Sequence, residues 1–63
     1  MTTRESVLAF IERWIDRLGY SPTFYEIAMN LNISKTTVHF HIHNLAEAGL
    51  IKFEEGKGRG ISL

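Results

Sequence analysis

The sequence lacks cysteine altogether, which excludes both a disulfide framework and a thiolate metal site. No apolar run approaches the roughly 20 residues that a membrane-spanning helix needs, and the amino terminus has no signal-peptide pattern. At 63 residues the chain is near the lower size limit for a self-sufficient hydrophobic core, and it has no room for an enclosed catalytic cleft. We expect a single cytoplasmic domain that is not an enzyme and holds no cofactor.

Net charge is also missing, because seven basic and seven acidic residues cancel at pH 7. This balance argues against a nucleic-acid-binding protein held mainly by bulk electrostatic attraction. The charges are nevertheless segregated. Glu12 and Asp16 lie in the first part of the chain, whereas Lys35, Lys57 and Arg59 belong to segments that we expect to share one face. Segregated charge can still steer a polyanion, although more weakly than a basic protein would.

Two helices are predicted by capping boxes, in which a threonine and a glutamate three residues later satisfy each other's free backbone amides. Thr2 with Glu5 opens the first helix, and Thr23 with Glu26 opens the second. Near the start of the second helix, Tyr25 could reach a phosphate through its hydroxyl, and an ordinary solvent-facing aromatic is the open alternative. The predicted helices cover about residues 3–18 and 24–31.

A third helix is predicted over about residues 35–48, with Ser34 as its N-cap and Gly49 as the left-handed residue that closes it. Only Asn32 and Ile33 remain for the turn before it, so the second and third helices must cross steeply. Two helices joined in this way form a helix-turn-helix unit. Ile33 should fill the gap between them.

The third helix has two unlike faces at 3.6 residues per turn. The residues expected to anchor it to a core are Val38, Ile42 and Leu45. The residues expected to face outward are Thr36, Phe40 and His43, flanked by Thr37, His39 and Asn44. This outward surface carries donors, acceptors and an aromatic ring but no acidic side chain from Ser34 to Asn44. It suits base-pair edges in a major groove, where Phe40 could pack on a thymine methyl group.

A β-hairpin is predicted over about residues 50–63, because two short β-compatible runs flank the glycine-rich segment EEGKGRG. Lys57 and Arg59 are expected to project from its tip, where they could meet phosphates or a minor groove. Solvated loop charges are the alternative. The predicted fold is α+β and mostly α: a three-helix winged helix-turn-helix with a carboxy-terminal two-stranded β-hairpin wing.

The three histidines alternate along the third helix, so His39 and His43 share a face and His41 points elsewhere. A metal site is disfavoured, since no cysteine is present and no glutamate is placed beside the pair. We expect His39 and His43 to contact a groove. His41, at the edge of the core, is expected to be a hydrogen-bonded structural residue.

Three stretches of the sequence resemble the amino-terminal winged-helix domain of LexA-type repressors. They are GYSPTFYEIA, TTVHFHIHNLAEAGLI and RGISL. They match in type and spacing the family's G-x-P-P-T/S-x-x-E-I, its V-H-x-H-L-x-x-L-x-x-x-G-x-I and its R-x-I/G-I ending. Ser21 departs from a common proline, and Phe24 stands where some members carry a phosphate-binding arginine.

The resemblance implies sequence-specific binding to operator DNA, with the third helix reading a half-site in the major groove. It places the base-contacting region at Ser34, Thr36, Thr37, His39 and Phe40, and the wing contact at Arg59. It also implies a repressor associated with the nucleoid of a bacterium, or one from a phage or plasmid. The family's serine-lysine self-cleaving and dimerising half has no counterpart in these residues, so we expect no self-cleavage from them.

The predicted partner is double-stranded operator DNA, with a homodimer on a palindromic site compatible with it. We expect no membrane, metal or small-molecule ligand. The predicted DNA-binding residues are Ser34, Lys35, Thr36, Thr37, His39, Phe40, His43, Lys57, Arg59 and Tyr25. The alternative is a winged-helix protein-interaction module without DNA binding, which the zero net charge and the aromatic side chains of Phe40 and Tyr25 favour.

Overall fold

The computed structural model describes residues 2–54, 56 and 59–63, and it confirms the predicted winged helix-turn-helix fold. The elements in chain order are α1 (Thr3–Leu18), α2 (Phe24–Leu31), α3 (Lys35–Glu47), β1 (Lys52–Phe53) and β2 (Ile61–Ser62). The third helix is one residue shorter than predicted, since Ala48 is its C-cap. Among the described residues, no helix has the length and apolarity that crossing a bilayer requires.

All three helices begin at the predicted caps. The Thr2 and Thr23 hydroxyls accept hydrogen bonds from the Glu5 and Glu26 amides at 3.2 and 3.1 Å. In return, each glutamate carboxylate accepts a hydrogen bond from the backbone amide of its threonine, at 3.2 and 2.8 Å. At α3 the Ser34 hydroxyl accepts from the Thr37 amide at 3.1 Å. Because each cap satisfies amides that the helix itself leaves unpaired, the helix starts are fixed by residues three positions apart.

The turn between α2 and α3 depends on Asn32, which adopts a left-handed conformation with φ of 55°. Asparagine tolerates this region better than most side chains. The next amide, of Ile33, donates to the Ala28 carbonyl at 3.1 Å and closes α2. Ile33 is partly buried and packs against the core, as predicted. The chain therefore changes direction within two residues, and α2 and α3 pack against each other on either side of this turn.

Among the described residues, the core is formed by eight apolar side chains, none more than 5% exposed. They are Val7, Ile11, Ile27, Val38, Ile42, Leu45, Ile51 and Ile61. Three of them come from α3, so one face of this helix is fixed against the rest of the domain. The strands pair antiparallel with Phe53 opposite Ile61, and buried Ile51 and Ile61 connect the hairpin to the core.

Candidate nucleic-acid interface

The face of α3 opposite the core is open to solvent. Phe40 is 63% exposed, and Thr36 and His43 are exposed as well. On the other side of the same helix, Val38 and Ile42 are 0% exposed. The predicted separation into an anchoring face and an outward face is therefore confirmed. Its polar outward surface is held rigidly because the opposite face is packed.

The amino-terminal turn of α3 presents the other polar groups. The Ser34 and Thr37 hydroxyls lie 2.8 Å apart in a hydrogen bond, which combines with the cap to hold both side chains in place. Thr36 has no side-chain hydrogen bond to any described residue. Exposed Lys35 and Thr36 line a shallow cleft of about 290 Å³ together with Phe24 and His39. The start of α3 thus offers one cation and one unengaged hydroxyl at a concave surface.

His39 and His43 belong to an aromatic cluster that also contains Phe24 of α2 and Phe53 of β1. The ring centroids of His39 and His43 are 4.5 Å apart, Phe24 lies 5.4 Å from His39, and Phe53 lies 5.9 Å from His43. Phe24 and Phe53 stack at 5.4 Å and close the cluster. The two histidines therefore face the wing side of α3. Across the described part of the chain, no three histidine, cysteine or acidic side chains are grouped to share a metal ion.

His41 lies at the edge of the core as predicted, and it is half-buried. Its ring packs against Phe40 with a centroid separation of 5.4 Å. Its Nδ1 is buried and has no hydrogen-bond partner among the described residues. The expectation of a hydrogen-bonded histidine is therefore wrong at this atom.

Arg59 does not project freely from the wing tip, and that expectation is wrong. Its Nη1 donates to the Ser21 carbonyl at 2.8 Å and to Glu26 Oε1 at 2.9 Å, and its Nη2 donates to Glu26 Oε2 at 3.3 Å. The guanidinium also lies 4.7 Å from the centre of the Tyr20 ring. The planar fork of arginine matches a carboxylate in this two-bond geometry. Arg59 thereby ties the wing to the start of α2.

Tyr25 is 64% exposed and precedes Glu26 in the first turn of α2. The positive end of the helix dipole lies at this turn, but the Glu26 carboxylate lies there too. Arg59 neutralises that carboxylate. A polyanion approaching Tyr25 would therefore meet a neutral ion pair instead of an unpaired negative charge. The other predicted wing contact, Lys57, lies outside the described residues.

The pKa of Glu26 is held below its usual 4.5, mainly by the side-chain hydrogen bonds from Arg59 and then by the Thr23 amide. Because folding favours the ionised carboxylate, this stabilisation is present above the usual pKa and is lost as the pH falls through the lowered one. We expect the melting temperature to fall more steeply from about pH 5 to about pH 3 in the unaltered chain than in Glu26→Gln. Circular dichroism melts at each pH measure this difference.

Glu5 provides the matched control, because its pKa is lowered mainly by the Thr2 backbone amide and not by Arg59. Arg59→Ala should abolish most of the acid sensitivity that belongs to Glu26 and leave that of Glu5 unchanged. Equal pH dependence in the unaltered chain and in Glu26→Gln would contradict the role given to the Arg59 pair.

Comparison with known proteins identifies a family for this chain. The LexA DNA binding domain family model matches residues 1–60. LexA repressor 2 of Geobacter sulfurreducens is 45% identical over 65 residues, which cover 100% of this chain and 32% of that repressor. The LexA repressor of Oleidesulfovibrio alaskensis is 37% identical over 60 residues, 95% of this chain and 29% of its own length. The chain spans about a third of the length of these curated relatives. With its three helices and paired wing strands, the chain belongs to the LexA DNA-binding domain family.

Proposed function

We propose that this chain is the operator-binding module of a transcriptional repressor and that α3 reads a half-site in the major groove of double-stranded DNA. The observation that carries the proposal is the outward face of α3, which is exposed and polar while its opposite face is completely buried. An α-helix fits the major groove, and a packed helix keeps its side chains in a fixed register with the bases. Membership of the LexA DNA-binding domain family supports the same function.

The proposed contacts divide into base readers and backbone contacts. Thr36 and Phe40 stand at the centre of the exposed face and would meet base edges. Exposed edges of His39 and His43 would donate or accept on the wing side, where the aromatic cluster limits their motion. The remaining side chains are proposed to contact phosphates or to fix the first turn of α3 against the DNA backbone. They are Ser34, Lys35, Thr37, Tyr25 and Lys57.

For Arg59 we propose an indirect contribution. Its guanidinium already binds the Glu26 carboxylate and the Ser21 carbonyl. A direct phosphate bond would have to compete with these partners. The geometry favours a role in which Arg59 positions the wing and neutralises Glu26 beside the DNA backbone.

The charge distribution of the domain favours recognition of bases over general electrostatic attraction to the DNA phosphates. The outward face carries no acidic residue until Glu47, which is exposed at the end of α3. With zero net charge, the domain has few cations for phosphates, so its affinity should depend only moderately on salt. A single module of this kind covers about 600–1,000 Å². We propose that two linked copies bind a palindromic operator, because the linkage makes the affinity for the whole operator higher than that for one half-site.

Selection of binding sites from random duplexes, followed by affinity measurements on the selected site, tests the proposal. Thr36→Ala and Phe40→Ala should each lose about 1–3 kcal/mol of binding free energy on the selected site and much less on unrelated DNA. Met29→Ala is the matched control, because Met29 is 64% exposed like Phe40 but lies on α2. Equal losses on both DNAs, or no selected sequence, would contradict this function and would favour a protein-interaction module.

A further inference from the structure

Phe40 is an apolar side chain on an otherwise polar surface. It is 63% exposed, the only large hydrophobic residue of α3 that is exposed to this extent. Its neighbours at helical spacing are Thr36, Thr37, His43 and Asn44, which all carry hydrogen-bonding groups. The one ring contact that it makes within the described part of the chain is with His41. The core contains eight other apolar residues and does not include Phe40. The position of Phe40 is therefore not explained by folding.

The aromatic cluster leaves Phe40 accessible. His39 and His43 turn toward Phe24 and Phe53 on the wing side, and none of these four rings contacts Phe40. Phe40 thus lies on the exposed face of α3, with the two histidines on one side of it and Thr37 on the other. A duplex that accepts α3 in its major groove would meet this ring at the middle of the contact.

Base-pair chemistry restricts what the ring can recognise. Guanine, cytosine and adenine present only hydrogen-bond donors and acceptors in the major groove, whereas thymine also presents its C5-methyl group. A phenyl ring can satisfy none of those donors and acceptors, and it would remove water from them. Contact with a methyl group instead buries apolar surface on both sides.

We propose that Phe40 is a specificity-determining residue that packs on the C5-methyl group of a thymine in the centre of the half-site. The inference rests on the proposed function and adds the base that this position selects. Thr36, one helical turn earlier, faces the neighbouring base step and can supply a hydrogen bond there. The operator therefore contains a thymine at a fixed position, and the methyl group itself is what the protein recognises.

Deoxyuridine scanning of the selected operator tests this inference. Deoxyuridine keeps every hydrogen-bonding group of thymidine and lacks only the methyl group, so each thymine is replaced singly and the Kd is measured. At one thymine we expect the unaltered chain to lose about fourfold in affinity, the value for one buried methyl-sized group. Phe40→Ala should bind the thymine and deoxyuridine operators equally. With cytosine at that position, 5-methylcytosine should bind the unaltered chain more tightly than cytosine.

Phe40→Leu is the second variant, because it keeps an apolar side chain and should retain part of the methyl dependence. Unchanged circular dichroism melts of both variants establish that folding is intact. A selected operator that is insensitive to deoxyuridine at every thymine overturns the inference and leaves the proposed function standing. A methyl dependence that persists in Phe40→Ala overturns it as well. The absence of any selected sequence overturns the proposed function and the inference together.

Discussion

Ile42→Ala is expected to destabilise the domain by about 2–5 kcal/mol, the range for truncating a large buried aliphatic side chain to alanine. Ile42 is 0% exposed and belongs to the central cluster with Val38 and Leu45. A domain of this size has a total stability of about 3–9 kcal/mol. The substitution should therefore remove a large part of it and lower the melting temperature by more than about 10 °C, measured by circular dichroism.

Phe40→Ala is the matched control on the same helix. Phe40 is 63% exposed, so its truncation should change the free energy of unfolding by no more than about 0.5 kcal/mol. Ile42→Val, which removes one methyl group, should lie between them at about 0.5–1.5 kcal/mol. A large destabilisation by Phe40→Ala would mean that its ring supports the fold, and its assignment as a base reader would lose its basis.

The helices and the outward face of α3 could be predicted because their causes lie within a few residues of one another. Each capping box joins residues three positions apart, and Ser34 caps α3 through the amide of Thr37. The same local geometry separates buried Val38 from exposed Phe40. Periodicity and caps are therefore sufficient to locate α3 and its orientation.

The partners of Arg59 and of the histidines could not be predicted, because they come from distant parts of the chain. Glu26 lies 33 residues before Arg59, and Phe24 and Phe53 reach His39 and His43 from α2 and β1. Charge patterning marks Arg59 as exposed and basic, but it carries no information about which carboxylate folding brings to it. The pair of Arg59 and Glu26 forms only after folding has positioned both the wing and the proline-containing connection that precedes α2.

The left-handed conformation of Asn32 could be predicted from the sequence only in part. Its residue type is compatible with a helix-terminating conformation, and the short turn requires a sharp reversal there. The length of the turn predicts the reversal but does not identify the residue that makes it possible. Asn32→Ala should consequently strain the helix-turn-helix crossing, since alanine adopts a φ of 55° less readily.

Arg59→Ala should weaken operator binding about tenfold, because a like charge facing a phosphate at an interface is strongly unfavourable. Without the guanidinium, the Glu26 carboxylate remains in the first turn of α2 next to exposed Tyr25. The wing also loses its bonds to Glu26 and to the Ser21 carbonyl. Affinity for the selected operator, measured by mobility shift over a range of salt concentrations, detects both effects.

The double variant Arg59→Ala with Glu26→Gln separates an indirect role of Arg59 from a direct phosphate contact. Glutamine keeps an oxygen that can accept the Thr23 cap bond and removes the negative charge. If Arg59 acts by neutralising Glu26, the second substitution should restore much of the lost affinity and return the salt dependence to its original slope. If Arg59 instead binds a phosphate, affinity should not recover, and the slope of log K against log salt should be smaller by about 0.9 in both variants. Recovery would thus establish that the arginine of the wing assists DNA binding through its intramolecular partner.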